Sequence, residues 1–151
     1  MDVQSQDAGS PRPGRHLIGW FQYSVVAVFL LGAVSLLVAA AAGTGDWAGL
    51  ADPGLERYGD PKDWNPPLGP DSVWNPLAWL VEICRWIVMT SLIVVLGFIG
   101  ALIGFVQFAG QRGSLTRGAS VNLLVATVLC ASTALVMLTP YGAQLRNWLL
   151  D

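Results

Sequence analysis

Two strongly apolar stretches, Trp86–Ala109 and Ala119–Thr139, flank a short connection, Gly110–Gly118, that carries Arg112 and Arg117 and no acid. At ~1.5 Å of rise per residue each stretch is long enough to cross a hydrocarbon layer ~30 Å thick. The pattern predicts a transmembrane helical hairpin within residues 76–151. Composition points the same way. The 151 residues are 54% apolar and 12% charged, with a mean hydropathy of +0.54, which is too greasy and too sparsely charged for an ordinary water-soluble domain.

A third apolar stretch, Leu17–Ala42, precedes the hairpin and follows a tail, residues 1–16, that holds Pro11, Pro13 and Gly14 and reads as disordered. Two readings fit it. Arg12, Arg15 and His16 at its start and the small residues Ala39–Ala42 at its end match a secretory leader cut near Ala40–Ala42. Its length, well past the ~7–15 apolar residues of a leader, and the early aromatics Trp20 and Tyr23 match a retained span. The fold class is therefore an all-α membrane protein: a helical hairpin preceded by a third apolar helix, retained or cleaved, and by an acidic loop.

That loop, residues 43–75, holds Asp46, Asp52, Glu56, Asp60, Asp63 and Asp71 against Arg57 and Lys62. Pro53-Gly54, Pro61, Pro66-Pro67 and Gly69-Pro70 break periodic structure, leaving room for a short helix around Asp52–Tyr58 at most. Trp-Asn-Pro occurs twice, at Trp64–Pro66 and Trp74–Pro76. The plain reading is that Asn caps, Pro opens a helical turn and Trp anchors at a membrane surface; the alternative is a repeated aromatic docking element.

Asn75 and Pro76 form a helix-start signal; the expected helix runs from Pro76 to Ala109, and its first turns, Pro76–Trp86, either lie in the interface before the chain enters the membrane or extend the spanning helix into the headgroups. Trp79 and Trp86 share a face, with Trp74 and Trp148 as further interfacial anchors. Glu82 and Arg85 are spaced to pair at the interface. Deeper in, Gly97, Gly100, Ala101 and Gly104 form a small-residue surface of the kind that lets helix backbones approach in lipid. The second helix offers a matching set in Ala126, Cys130 and Ala134. These faces are the candidate packing and assembly sites, serving the hairpin alone or neighbouring copies as well. Gln107 and Asn122 are placed to bond across the hairpin mouth. Cys84 and Cys130 sit at different expected depths and read as packing residues rather than a disulfide.

Lys and Arg near the membrane ends number four on each side, Arg12, Arg15, Arg112 and Arg117 against Arg57, Lys62, Arg85 and Arg146, so the bias is slight and comes from Arg57 and Lys62 sitting well into their loop. Arg12 and Arg15 with the Arg112/Arg117 loop are assigned to the cytoplasm, and the acidic loop and C-terminus to the outside. A net charge of −2 gives no field for nucleic acid, and one histidine, His16, supports neither a catalytic triad nor a histidine metal site. No phosphate-binding glycine loop, calcium loop or small-molecule site is evident, so no enzyme activity, metal or cofactor is expected.

The leader-like Leu17–Ala42, the helix with Gly97, Gly100 and Gly104, the basic Arg112/Arg117 turn and the helix Ala119–Thr139 together resemble the small pilin subunits of conjugation and type IV secretion systems. The resemblance implies a non-enzymatic, self-assembling structural subunit, exported into a surface filament with bound lipid. The alternative expectation is a three-span accessory subunit of a larger membrane complex of respiratory, transport or virion-envelope type, with the acidic Trp-rich loop docking a partner.

Overall fold

A computed structural model describes residues 14–52, 54–64, 75–111 and 115–151. The described residues form helices and connecting turns and contain no strand. Three of the helices, Leu17–Thr44, Leu92–Gln111 and Arg117–Leu138, are long and apolar enough to cross a membrane.

The first of these is one continuous helical run in three parts: α1 (Gly14–Phe29), a π turn (Leu30–Val34) and α2 (Ser35–Thr44). It stops where Thr44 Oγ1 donates back to Ala40 O at 2.8 Å and Gly45 adopts a left-handed φ of 74°, a conformation glycine takes without penalty. α3 (Pro76–Met89) begins as its first residues require, with Asn75 Oδ1 accepting from Leu77 N at 2.9 Å and proline in the first turn.

The sequence read as one helix from Pro76 to Ala109, but the chain breaks at Thr90 and Ser91 before α4 (Leu92–Gln111). Thr90 Oγ1 donates to Trp86 O and Ile87 O, competing locally with the helical ladder. Ser91 then takes φ 60°, unusual for a residue with a side chain, and its Oγ accepts a 2.5 Å hydrogen bond from Arg146 Nη1.

α4 and α5 (Arg117–Leu138) form the most extensively packed pair. They run antiparallel, because Gly97 faces Ala134 and Cys130 while Gly104, further along, faces Thr127. α1 lies against both. Gln22 meets Gly100 and the Gly104 position. Gly32, later in the first helix, touches α3, which leads into the start of α4. The first helix is therefore antiparallel to α4. At that crossing a methyl on Gly32 would overlap the backbone of Cys84 and lie 2.7 Å from Arg85 N, so only glycine lets α3 pass this closely to the π turn.

Thr139 turns the chain out of α5 and caps α6 (Pro140–Leu150), its Oγ1 accepting from Gly142 N at 3.2 Å. α6 packs back against α5, α3 and the loop that follows α2. In that loop three 3-10 turns, Ala48–Ala51, Leu55–Tyr58 and Pro61–Trp64, stack on the end of α2 and on α6 as a cap. Trp148 was expected at a membrane surface, but it is only 2% exposed. Its ring meets Tyr58 edge-on at 6.4 Å and its Nε1 donates to Gly59 O at 2.8 Å, so it is a core residue of the cap.

Candidate functional site

The residue that ties the three long helices together is Gln22, an amide in an otherwise apolar run. It is 0% exposed. Its Nε2 donates to Gly100 O at 2.9 Å and to Thr127 Oγ1 at 3.1 Å, reaching α4 and α5 at once. Thr127 Oγ1 in turn donates to Leu123 O at 2.7 Å, and Cys130 Sγ donates to Gln22 O at 3.4 Å. Gln22 Oε1 is buried without a donor. Its position is made possible by Gly104, where a methyl would overlap both Thr127 Oγ1 and Gln22 Nε2.

The small-residue positions converge on this node and on the seam above it. Gly97, Gly100 and Gly104 are buried on α4, and Ala126, Cys130 and Ala134 are buried on α5. A methyl at Gly97 would sit 3.0 Å from Ala134 Cβ, and one at Gly100 would sit 3.1 Å from Cys130 Sγ and 3.6 Å from Phe21 of α1. Ala101 is partly buried at the edge of the core. Backbones approaching this closely gain dispersion and weak C–H···O contacts, which is how helices hold together where no water drives them. The two faces meet each other and α1 within one chain. The outward side of α4 and α5 carries many large residues, among them Leu102, Phe105, Val106, Leu124 and Val128, all exposed.

The polar pair expected at the mouth, Gln107 with Asn122, is replaced by a different one. Asn122 Oδ1 accepts from Tyr23 OH at 2.6 Å, so the α5 amide bonds to α1 rather than α4. Glu82 and Arg85 do pair, Nη2 to Oε1 at 2.8 Å. Arg85 is 6% exposed, and its Nε and Nη1 are buried without acceptors. Cys84 and Cys130 are free and buried. Trp79 and Trp86 are 57% and 54% exposed. Arg117 is exposed at the start of α5, while Arg12, Arg112 and Trp74 lie outside the described residues.

The cap has its own network. Arg57 contacts Asp52 at 2.6 Å and Asp46 at 3.5 Å, and its pKa is raised, first by the Asp52 hydrogen bond. Tyr58 OH donates to Asp46 O at 2.7 Å, and burial, with the Asp46 charge second, raises its pKa above the ordinary phenol value. Trp64 Nε1 donates to Tyr58 O at 2.6 Å, and Lys62 Nζ reaches Asp151 O.

No family model, characterised protein or solved structure matches the chain. Function rests on the geometry alone.

Sequence reasoning missed Gln22. The signal was present as one amide within Leu17–Ala42, since polar side chains inside membrane helices face protein rather than lipid. Nothing in the sequence marked the π turn or its contact with α3.

Proposed function

We propose that the chain is a non-enzymatic, three-span integral membrane subunit whose first apolar helix stays in the bundle, acting as an accessory component of a larger membrane assembly. The burial of Gln22 between α4 and α5 carries this reading. Cleavage near Ala40–Ala42, as a filament subunit would require, removes Phe21, Gln22 and Val25 from the core. It leaves Gly100, Gly104 and Thr127 lining an open groove. In lipid such a groove forfeits the close packing that holds helices together.

The same geometry bears on assembly. With the glycine and alanine faces used inside the chain, contacts with neighbouring subunits fall to the large outward side chains of α4 and α5 and to the cap. The N-terminus and the Arg112/Arg117 turn are placed in the cytoplasm and the cap, with its acids, outside. α4 and α5 then form a transmembrane hairpin with the first helix alongside.

Intact-mass measurement on protein extracted from membranes, with identification of what copurifies, tests the proposal. Retention of residues 1–42 together with unlike membrane subunits is the expected result. A mature chain beginning near Gly43 in a homopolymer overturns it in favour of the filament reading.

A further inference from the structure

α3 has two apolar faces, and the fold uses one. Val81, Cys84, Val88 and Met89 are buried against the rest of the chain, whereas Leu77, Leu80, Ile83 and Trp86 are exposed on the other side with Trp79 beside them. Ile83, Trp86, Ile87 and Thr90 line an open groove on this outer face. We propose that α3 is a membrane helix that does not span, lying in the outer lipid interface with this face against acyl chains. The proposal rests on the three-span reading and adds a fourth lipid-contacting element to it.

Four observations select lipid as the occupant. First, α3 has 14 residues, about 21 Å at ~1.5 Å per residue, short of the ~30 Å needed to cross. A helix that carries large apolar side chains on its outer face as well as its inner one is nonetheless unstable facing water. Second, the C-terminal end of α3 passes through Thr90 and Ser91 directly into α4, so the helix sits where a span begins. It packs on α1 and on the π turn, elements of the first span, which keeps it beside the bundle.

Third, Trp79 and Trp86 are both exposed and lie seven residues apart on one face, the placement by which indole rings settle among headgroups. The charges of Glu82 and Arg85 cancel at 2.8 Å, so α3 brings no net charge to the interface. Fourth, a strip one helix wide and about 21 Å long offers on the order of 200 Å². A stable protein partner covers about 800 Å² per side, whereas lipid sets no minimum.

Nitroxide labels at Leu80 and Ile83, introduced singly as L80C and I83C in a Cys84→Ala, Cys130→Ala background and reconstituted into phosphatidylcholine vesicles, read the environment directly. Labels at Leu102 and Val128, on the outward faces of α4 and α5, serve as references. The expected result is collision with oxygen exceeding collision with a water-soluble nickel chelate at all four positions. Nickel access at Leu80 and Ile83 alone overturns the interfacial α3 and leaves the three-span reading standing. Nickel access at all four positions overturns both. Protection of Leu80 and Ile83 from both reagents, with spin–spin broadening, means that a second copy covers the face and also overturns the proposal.

A companion measurement leaves the cysteines untouched. Quenching of tryptophan emission by brominated phosphatidylcholine should lose amplitude in the Trp79→Phe, Trp86→Phe variant, and unchanged quenching overturns the proposal.

Discussion

The Gln22 node and the Trp148 cap solve the same problem with opposite materials. At the node, α1, α4 and α5 meet through small residues, Gly100, Gly104 and Cys130, and one amide side chain together with the Cys130 thiol supplies the hydrogen bonds. At the cap, α6 meets the 3-10 turns through the two large rings of Tyr58 and Trp148, each also bonded to a backbone carbonyl. On the proposed three-span reading, the difference follows from the solvent each region meets. Lipid gives no hydrophobic gain for bringing helices together, so stability comes from contact distance. In water, burying a large ring is itself worth several kcal/mol.

Four measurements probe that contrast. The largest effect is expected from Trp148→Ala, which should cost the cap about 3–5 kcal/mol. Hydrogen exchange should rise at Gly59 and through α6 while α4 and α5 stay protected; loss of protection in the bundle as well would show that the two regions do not melt independently. Next comes Gly104→Ala. Its methyl overlaps Thr127 Oγ1 and Gln22 Nε2, and over-packing of this kind costs about 1–3 kcal/mol. Gly110→Ala, with open space around the new methyl, should be neutral or slightly stabilising in the same unfolding assay.

Gln22→Leu should cost less than Gly104→Ala. It removes two hydrogen bonds, which inside membranes average about 0.6 kcal/mol each, and it also removes the unpartnered Oε1. A loss above the Gly104→Ala value would mean that the node is held by polarity more than by contact distance.

The smallest effect is a pH dependence confined to the cap. Tyr58 has a pKa raised above 10.0 in the folded chain, chiefly by burial. The stability that this shift contributes is fully present below the unfolded-state value and is lost as pH rises through the folded one. Above pH 10 the cap should loosen, seen as a red shift in tryptophan emission that Trp148→Phe diminishes, with Tyr58→Phe weakening the dependence and leaving the part due to Tyr141 of α6, whose pKa burial also raises.

How much was legible in advance differs between local and distant features. Asn75-Pro76 announced the start of α3 because a cap and a proline act on their own turn. The break at Thr90 and Ser91 was not announced. Both residues sit in a continuous apolar run, and the left-handed Ser91 is held by Arg146 from α6, far away in the chain. Trp148 read as an anchor because tryptophan near a span end usually is one. Its burial depends on Tyr58 and Gly59, which no periodicity links to it.

The sequence by itself determined three apolar runs long enough to cross a bilayer, the Asn75-Pro76 start of α3 and the small-residue sets on α4 and α5, since each follows from residues within one segment. Only the tertiary structure decided which faces meet: that the glycine and alanine sets meet each other and α1, that Gln22 points inward, and that Gly32 receives α3. In a water-soluble helix an alternation of polar and apolar residues marks the buried side. The long helices here are apolar nearly all round, so the choice of face is left to size, shape and one amide.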